Sequence, residues 1–418
     1  MKLSASRWLG KLSGLRAIIS MLCRIGSGLS LSIKAIFITL LMVVDHLLGR
    51  KIVVFDISSV GFIQFILPVY QQLRDRQEPI AFYLALDYPM KKTMESFKLP
   101  SRRFFPSRIA RHLALIDIFI EPEIFCRGPK HATKVMIGHG QPVKVSNWSE
   151  DNLRAFDVFF LYGPLERDLF ELIKKEKPES THHIKMMNIG YPKLDDLLQG
   201  KYHREQVLTD LGLEPQRPTV IYAPAWDPAG SLRTYGTQVV EALLAIPDVN
   251  VIVKLHPVSL EPSQSPYFEF YTGGVDWIDH FKLFEKLPNF RHVTDYLINP
   301  LLAAADVMVT DFSGVALEFM TQDRPVIYID CPGFYEKALK EWGQDAALAR
   351  DDERLNAGRN AGIVVKELTE LAVAVRRSLS NPEEFAEKRL ALIERFLYNP
   401  GKGAEAAADA IINLLSPS

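Results

Sequence analysis

The sequence predicts an α/β protein built from two parallel-sheet domains, and two observations lead to this fold class. From Lys51 onward, short apolar runs alternate with helical stretches, a pattern typical of buried parallel strands covered by helices on both faces. The alternation stops in a turn-rich segment near residues 200–217 and restarts at Thr219. A chain of 418 residues is long enough for two domains of roughly 150–200 residues each.

The first domain is predicted to begin with a strand at 51–57 and a helix at 61–76. Its further strands are predicted at 80–86, 114–120, 133–138 and 158–162. In the second domain the predicted strands are 219–223, 249–255, 290–293, 307–310 and 326–329, with a helix at 236–246. Residues 382–397 and 403–415 are predicted to be helical.

These elements place a first Rossmann-like domain at 51–205, a second at 206–385, and C-terminal helices that cross back onto the first domain at 386–418. Ligands of such parallel sheets bind beyond the carboxyl ends of the strands. Because two such sheets would face each other, the cleft between the domains is the expected ligand site.

Residues 1–50 form a basic segment of a different character. Eight basic residues and one acidic residue, Asp45, occur up to position 51. Five apolar side chains alternate by four and three and so share one helix face: Trp8, Leu12, Leu15, Ile19 and Leu22. The apolar run 35–44 is too short to span a bilayer core of about 30 Å. We expect peripheral attachment to an anionic membrane surface; a buried first helix and a true membrane span are the alternatives.

Composition and missing motifs argue against several functional classes. The net charge of −1 gives no support for nucleic acid as a partner. The three cysteines form no CxxC or Cys/His cluster, so neither disulfides nor structural zinc are indicated, and a reducing cytoplasmic setting fits. The motifs GxGxxG and GxxxxGK[ST] are absent, which removes the NAD and P-loop interpretations. No DxD follows a predicted strand, so no obligatory metal ligand is expected.

Two predicted strand ends carry histidines. His139 stands between Gly138 and Gly140, and such glycines let backbone approach a ligand closely. A histidine there can accept a proton from an attacking hydroxyl near neutral pH. Lys254 and His256 share one side of an extended segment, where both can contact phosphate. The plainer alternatives are a structural histidine in a turn and a solvated strand end.

Two further strand ends supply weaker candidates. Pro224 and Trp226 follow the strand 219–223, although a proline and an aromatic residue in a loop can serve packing alone. Thr310 ends the strand 307–310, and Asp311 follows it. The Thr310 hydroxyl can hold a pyrophosphate oxygen, and Asp311 can cap a helix or position a ligand hydroxyl.

The turn after Asp311 contains Ser313 and Gly314 and leads into a predicted helix. The Ser313 hydroxyl and the free amides of the helix start can bind a phosphate oxygen. Glu318 lies within that helix and can reach ribose hydroxyls, as an acid does in dinucleotide-binding folds. A capped helix without a ligand is the alternative.

Taken in order, these segments resemble the CDP-glycerol glycerophosphotransferase family, the teichoic-acid polymerases and primases of GT-B fold. HGQPVK (139–144) resembles the family's HGTPxK, and GYPKLD (190–195) resembles GxPRxD. YAPAWD (222–227) resembles YAPTWR, and KLHP (254–257) resembles RxHP. TDFSG (310–314) with Glu318 resembles TDYSS followed by an acid, and residues 396–408 loosely echo a closing FxxxxDGKAxxR. The similarity runs from about residue 135 to 410.

The resemblance implies transfer of a polyol phosphate, in the first place glycerol phosphate, from a CDP-activated donor to a hydroxyl of a membrane-linked glycan or polymer. Such a reaction belongs to cell-surface polysaccharide synthesis at the cytoplasmic face of the membrane. No cofactor is implied, since CDP-glycerol or a related CDP-polyol is the donor substrate.

For the site, the resemblance implies His139 as general base, and His256 with Lys254 as groups that stabilise charge on the leaving pyrophosphate. Asp311 and Ser313 would hold donor phosphates, and Glu318 the ribose. The remaining donor-side candidates are Pro224, Trp226, Thr310 and Gly314. The other motif residues are Gly138, Gly140, Lys144, Gly190, Pro192, Lys193 and Asp195.

Three positions depart from the family pattern where donor phosphates are expected. Lys254 stands in place of an arginine and lacks its bidentate fork. Asp227 replaces a basic residue, and Gly314 replaces a second serine. The donor therefore stays open to CDP-ribitol or another activated group. A UDP-sugar glycosyltransferase or 2-epimerase of the same fold, and a non-catalytic GT-B scaffold of a membrane assembly complex, are the alternative functions. The acceptor and the oligomeric state are not predicted.

Overall fold

A computed structural model describes residues 31–87, 95, 97–140, 148–338, 340 and 350–416. The predicted amphipathic helix within residues 1–30 and the motif residue Lys144 lie outside the described residues. The chain forms two fully parallel sheets with helices around them, so the predicted α/β, GT-B-like fold class is confirmed.

The first sheet has seven strands in the order β3-β2-β1-β4-β5-β6-β7. Its strands are β1 (Lys51–Ile57), β2 (Ile80–Leu86), β3 (Phe104–Pro106), β4 (Ile118–Glu121), β5 (Thr133–Met136), β6 (Val158–Leu161) and β7 (Lys185–Asn188). In the longest pairing, β1 and β2 run in register from Lys51 opposite Ile80 to Ile57 opposite Leu86. Almost every side chain of these two strands is buried, as expected for a sheet covered on both faces.

The second sheet has six strands in the order β10-β9-β8-β11-β12-β13. Its strands are β8 (Thr219–Tyr222), β9 (Asn250–Val253), β10 (Phe290–His292), β11 (Val307–Thr310), β12 (Val326–Ile329) and β13 (Ile363–Val365). In both sheets the strand order reverses direction beside the first strand of the domain, which opens a crevice at the carboxyl ends of the neighbouring strands.

The helices of the first half are α1 (Leu31–Leu47), α2 (Ile63–Asp75), α3 (Glu150–Arg154), α4 (Pro164–Glu176), α5 (Pro178–Thr181), α6 (Asp195–Leu198) and α7 (Arg204–Asp210). Those of the second half are α8 (Ser231–Tyr235), α9 (Gln238–Leu244), α10 (Phe268–Thr272), α11 (Trp277–Phe281), α12 (Asn299–Ala304), α13 (Val315–Met320), α14 (Leu371–Ser380), α15 (Ala386–Phe396) and α16 (Gly403–Leu415). Short 3-10 helices occur at Val60–Phe62, Ser101–Arg103, Ser107–His112, Pro192–Leu194, Pro257–Leu260, Lys282–Phe284, Arg359–Ala361 and Leu368–Glu370.

The strand predicted at 114–120 is shorter in the structure, where β4 begins at Ile118. The Asp117 carboxylate accepts a hydrogen bond of 2.8 Å from the Ile52 amide, so a side chain takes the place of backbone pairing just before the strand begins. Strands β3, β7 and β13 were not predicted. They have three or four residues, and β7 has only two apolar residues, both methionines, between an exposed Lys185 and an exposed Asn188.

Helix α1 packs one face on the first sheet through Ile38, Leu41 and Met42. Asp45, in the last turn of the same helix, is buried and accepts hydrogen bonds from Tyr83 (2.7 Å) and Arg103 (3.0 Å). The alternative of a first helix packed on the domain therefore holds for one face of residues 31–47. Within the described residues, no helix is both long enough and apolar enough to cross a bilayer.

The C-terminal helices lie on the first domain. Helix α16 packs against α2, and Arg76 forms an ion pair with Asp409. Asp195 accepts hydrogen bonds of 2.9 and 2.8 Å from the Gly403 and Ala404 amides, which satisfies free N–H groups at the start of α16. The motif residue Asp195 is thus a structural cap in this structure.

Candidate active site

His139 lies three residues beyond β5, in the loop at the carboxyl edge of the first sheet. Its Nδ1 is 2.8 Å from the Pro122 carbonyl oxygen, and since a carbonyl can only accept, Nδ1–H donates. The ring packs on Phe62 and Phe65, with centroid distances of 4.9 and 6.4 Å. A neutral ring held in this way presents an unprotonated Nε2 as a hydrogen-bond acceptor.

The two glycines beside His139 fit a close approach of backbone to its surroundings. Gly138 has a φ of +73°, and a Cβ there would lie 2.9 Å from the Tyr162 hydroxyl oxygen. A side chain would therefore meet both backbone strain and a steric clash. Gly140 also has a positive φ and leads into the segment that contains Lys144. Tyr162 is fully buried and stacks on Tyr191 at 4.2 Å, which gives the loop a rigid floor.

His256 lies three residues beyond β9, on the second domain. Its Nδ1 accepts a hydrogen bond of 3.3 Å from the Val258 amide, so the side chain caps the 3-10 helix Pro257–Leu260. In a neutral ring the proton then resides on Nε2. The two motif histidines are therefore held in opposite tautomers, His139 with an acceptor and His256 with a donor at Nε2.

Lys254 is buried, with a relative exposure of 4%. Its ammonium donates to the Leu255 carbonyl oxygen at 2.9 Å, which occupies one of three N–H groups. Burial lowers the pKa of Lys254 to about 8, and the nearby charge of Lys193 contributes to that shift. A buried ammonium with spare donors at the end of a strand is suited to an anion.

Asp311 fixes the loop that contains Pro224 and Trp226. Its carboxylate accepts hydrogen bonds from the Ala225 amide (2.9 Å) and from the amide and hydroxyl of Ser231 (2.9 and 2.8 Å). In the structure Asp311 is 2% exposed and organises this loop, where the sequence had predicted contact with donor phosphates. Pro224 is buried and Trp226 is partly exposed beside His256, at a ring distance of 6.4 Å.

The predicted phosphate turn divides into buried and accessible parts. Thr310 is fully buried and donates to the Ala223 carbonyl oxygen at 2.7 Å, so its hydroxyl is not available to a ligand. That differs from the prediction, because the Thr310 side chain is fully buried and its hydroxyl is bound to the backbone that follows β8. Ser313 and Gly314 are partly exposed immediately before α13 and remain predicted donor contacts.

Glu318 joins the two domains. Its carboxylate accepts hydrogen bonds from the Tyr191 hydroxyl (2.9 Å) and the Lys193 ammonium (2.6 Å), and both charged side chains are buried. Asn299 adds a hydrogen bond of 2.6 Å to the Lys193 carbonyl oxygen. The sequence had predicted Glu318 as a ribose ligand, but here both of its oxygens contact the first domain.

Lys193, which follows β7, is joined to Glu318 of the second domain at the place where the two domains meet. The Lys193 ammonium lies 5.4 Å from the ring of Phe65, which also contacts His139. The charge of Lys193 also helps to lower the pKa of Lys254, which follows β9. Lys193 thus lies at the boundary between the domains, next to the Phe65 ring that contacts His139.

Several residues of this cleft were not predicted. Phe62 and Phe65 hold the His139 ring, and their signal was present in the sequence as apolar side chains directly after β1. The predicted motif residue Gly190 is explained by packing, since a Cβ there would lie 2.2 Å from the Tyr398 carbonyl oxygen, and Pro192 is a buried residue of the 3-10 helix Pro192–Leu194. Within the part of the chain that the structure covers, no three His, Cys, Asp or Glu side chains are arranged to hold a metal ion.

A family model described as CDP-Glycerol:Poly(glycerophosphate) glycerophosphotransferase matches residues 179–413, more than half of the chain. The chain belongs to this family. The matched range includes the segments 190–195, 222–227, 254–257 and 310–314, whereas His139 precedes it. Membership therefore rests mainly on the second domain and on the segment that carries Lys193.

Two kinds of relatives agree with this membership. The chain is 24% identical over 216 residues to a teichoic acid glycerol-phosphate transferase of Staphylococcus aureus, a match covering 51% of this chain and 50% of the relative. The chain thus matches about half the length of that relative. Among solved structures it is similar to the wall teichoic acid polymerase TagF, with a TM-score of 0.64, 15% identity, and coverage of 92% of this chain and 98% of the other.

A UDP-GlcNAc 2-epimerase from Neisseria meningitidis, solved with UDP-GlcNAc, is also similar in fold. Its TM-score is 0.50 and its identity 13%, with 88% of this chain and 99% of the other covered. At these identities both structural similarities show the fold alone. Since the phosphotransferase and the epimerase share it, the family match and the site residues have to distinguish the two chemistries.

Proposed function

We propose that the protein transfers glycerol phosphate from CDP-glycerol to a hydroxyl of a membrane-linked glycan or polymer. The observation that carries the proposal is the pair of motif histidines held in opposite tautomers on the two domains around one cleft. Phosphoryl transfer to an alcohol needs a group that accepts the acceptor's proton and a donor that stabilises the leaving phosphate. The two Nε2 atoms supply one of each.

In the proposed reaction, the acceptor oxygen attacks the phosphorus that carries glycerol. The bond from that phosphorus to the CMP oxygen breaks, and CMP departs with the bonding electrons. The unprotonated Nε2 of His139 takes the proton of the acceptor hydroxyl. His256 donates a hydrogen bond to the departing phosphate, and the Lys254 ammonium neutralises part of its charge.

The donor is proposed to lie against the second domain, with its phosphates between Lys254 and the Ser313 turn. A single-residue variant of the TagF polymerase has been solved after soaking with CDPG, which supports a CDP-linked donor in this fold. For Glu318 to reach the ribose, as the family resemblance implies, its contacts with Lys193 and Tyr191 must open. Donor binding would then exchange an interdomain ion pair for donor contacts.

We also propose that the protein is peripheral at the cytoplasmic face of the membrane. The outward face of α1 is apolar and exposed, with Ile36 at 61% and Leu47 at 75% exposure, and Ile33, Leu40 and Val43 lie along the same side. This face would continue the basic amphipathic segment that precedes it, and the two together suit an anionic lipid surface. The acceptor would then be a lipid-linked chain at the same surface.

A nucleotide panel tests the reaction. Purified protein is incubated with CDP-glycerol, CDP-ribitol and UDP-sugars, and release of CMP or UDP is measured with a lipid-linked acceptor present. CMP release from CDP-glycerol is expected, and release of UDP alone would favour the glycosyltransferase or epimerase alternative. No nucleotide release at all would favour the non-catalytic scaffold.

The His139→Ala variant tests the base. It should bind CDP-glycerol normally and lose roughly 10²–10⁴-fold in kcat, the usual contribution of a general base. His131→Ala is the matched control, because His131 is an exposed histidine on the same domain outside the cleft. Full turnover by His139→Ala would reject the assigned role.

Vesicle flotation tests the membrane part. Deleting residues 1–30 should reduce flotation with anionic vesicles, and the added changes Ile36→Gln and Leu47→Gln should reduce it further. The deletion stops at residue 30 because α1 belongs to the folded domain through Met42 and Asp45. Flotation that is unchanged in the combined variant would exclude this surface as the anchor.

A further inference from the structure

Arg127 lies over the carboxyl ends of three neighbouring strands of the first sheet. Its Nε is 3.0 Å from Oδ2 of Asp56 in β1, and its Nη1 is 2.5 Å from Oδ2 of Asp87, which directly follows β2. Its Nη2 is 3.9 Å from Oε1 of Glu121, the last residue of β4. Since β2, β1 and β4 are adjacent in the sheet, one side chain bridges three strand ends. We call Arg127 and these three carboxylates the strand-end cluster.

The strand-end cluster occupies the crevice of the first sheet. The strand order reverses between β1 and β4, and ligands of parallel sheets bind at such a point. The pairing of these strands ends with Phe55 opposite Ile120, so the next residues, Asp56 and Glu121, lie opposite each other on the same side of the sheet. Both side chains are fully buried. The guanidinium thus fills the crevice beside the two carboxylates.

The arrangement of the buried carboxylates depends on Arg127. Burial raises the pKa of Glu121, and the charge of Asp56 raises it further, whereas the charge of Arg127 acts in the opposite direction. Asp56 also accepts a hydrogen bond of 2.6 Å from the Ser107 hydroxyl. Removing one partner of a buried ion pair leaves an uncompensated charge, so loss of the arginine would disturb both strand ends.

The loop that carries the arginine also orients His139. This loop, residues 122–132, joins β4 to β5. Where it begins, the Glu121 carbonyl oxygen accepts a hydrogen bond of 3.0 Å from the Ile137 amide, and the Pro122 carbonyl oxygen accepts one of 2.8 Å from Nδ1–H of His139. Two successive carbonyl groups therefore hold the segment after β5.

A second contact holds the middle of the loop against β4. A Cβ at Gly128 would lie 2.8 Å from ring atoms of Phe119, so a side chain there would push the loop away from the strand. The loop is thus fixed at its start by backbone hydrogen bonds and at its middle by the Arg127 side chain and the Gly128 backbone.

We propose that Arg127 is the positioning residue of His139, an inference that rests on the proposed function. By drawing the loop onto the three strand ends, Arg127 holds the Pro122 carbonyl oxygen where it accepts from Nδ1–H. The proton of the neutral ring then stays on Nδ1, and the unprotonated Nε2 is available to the acceptor hydroxyl. Arg127 acts through the loop and does not contact the reacting atoms.

Two variants separate positioning from stability. The triple variant Arg127→Met, Asp56→Asn and Glu121→Gln removes the buried carboxylate charges together with the arginine, so it should remain folded and lack the contact. Arg127→Lys keeps one charge but lacks the planar fork that reaches three carboxylates, and it serves as the test if the triple variant does not fold. Arg111→Met is the matched control, because Arg111 is an exposed arginine of the same domain.

Nuclear magnetic resonance of isotope-labelled histidine measures the tautomer directly. The spectra are recorded at pH 8, at which histidine rings are mostly neutral, and the His139 signals are assigned by their loss in His139→Gln. The wild-type protein and the control should carry the proton on Nδ1, whereas both positioning variants should populate both tautomers.

Kinetics measure the consequence for the reaction. With the same lipid-linked acceptor as in the nucleotide panel, the positioning variants should lose about 10- to 100-fold in kcat for CMP release. Their KM for CDP-glycerol should be unchanged, because the donor is proposed to lie on the second domain. A purely structural role of Arg127 would lower stability without this separation of kcat from KM.

Wild-type tautomer and wild-type kcat in a folded positioning variant would overturn the inference, and so would a wild-type His139 with its proton on Nε2. A rise in KM for CDP-glycerol as large as the loss in kcat would also contradict it. If the wild-type protein releases no CMP, the proposed function fails and the tautomer decides the inference on its own. A changed tautomer at full kcat would support the contact and reject His139 as the base.

Discussion

Raising the pH from 7 to 9 should weaken donor binding through Lys254. Its lowered pKa of about 8 means that the ammonium is mostly charged at pH 7, while about one tenth of it is charged at pH 9. If only the charged form holds the donor phosphates, the apparent Kd for CDP-glycerol rises by the inverse of that fraction, about tenfold. Titration calorimetry at pH 7, 8 and 9 measures this change.

The variant Lys254→Arg separates this effect from other alkaline changes. Arginine stays charged throughout this range and adds a bidentate fork, so its Kd should be nearly flat between pH 7 and 9. Lys201→Arg is the matched control, because Lys201 is an exposed lysine that should leave the wild-type pH profile intact. A flat wild-type profile, or an equal loss in Lys254→Arg, would refute the reasoning.

Stability should change in the opposite direction. Because the folded-state pKa of Lys254 lies below its unfolded value of 10.5, the unfolded chain binds more protons between pH 8 and 10.5. The contribution of this group to the free energy of unfolding therefore rises with pH in that window and is lost as pH falls through 8. Weaker donor binding without loss of stability at pH 9 would exclude general alkaline unfolding as its cause.

Three further predictions concern contacts between segments that are far apart in the sequence. Lys193→Met leaves the Glu318 carboxylate buried without a cation and should lower the free energy of unfolding, measured in urea, by about 3–5 kcal/mol. Adding Glu318→Gln should restore part of the lost stability. Strictly additive losses in the double variant would contradict the pairing of these two residues. Gly190→Ala forces a Cβ against the Tyr398 carbonyl oxygen and should expose the C-terminal segment to faster limited proteolysis; wild-type cleavage rates would speak against that clash. Asp195→Asn keeps one of the two oxygen acceptors at the start of α16 and should lower the free energy of unfolding, measured by thermal unfolding, by about 0.5–2 kcal/mol. An unchanged Tm would show that the cap does not stabilise the fold.

The architecture could be predicted because buried parallel strands leave a strong pattern. Strands such as β1 and β11 are mostly apolar and buried, and their predicted bounds agree with the structure. Strand β7 could not be predicted in this way, since its apolar run is only two residues long and its extended conformation depends on pairing with β6 at the sheet edge. Local sequence does not encode such a partner.

The position of the candidate site could be predicted from the sequence, whereas most of its side-chain contacts could not. Strand ends in a parallel sheet share one edge, so the sequence could place His139, His256 and Lys254 near a cleft. It could not show that Asp311 accepts loop amides or that Glu318 pairs with Lys193. Those contacts depend on packing between segments that lie 80 to 125 residues apart, for which the sequence alone contains no geometric information.

The return of the C-terminal helices to the first domain has a mechanical consequence. The chain passes between the domains near residue 200 and again near residue 385, and the second passage ends where the Tyr398 amide donates to the Tyr162 carbonyl oxygen. Two connections restrict the relative motion of the domains more than one would, so we expect the domains to rotate about the line that joins the connections rather than to slide. One such rotation would separate Glu318 from Lys193 and at the same time change the distance between His139 and His256. Binding of the donor and positioning of the acceptor would then depend on the same movement.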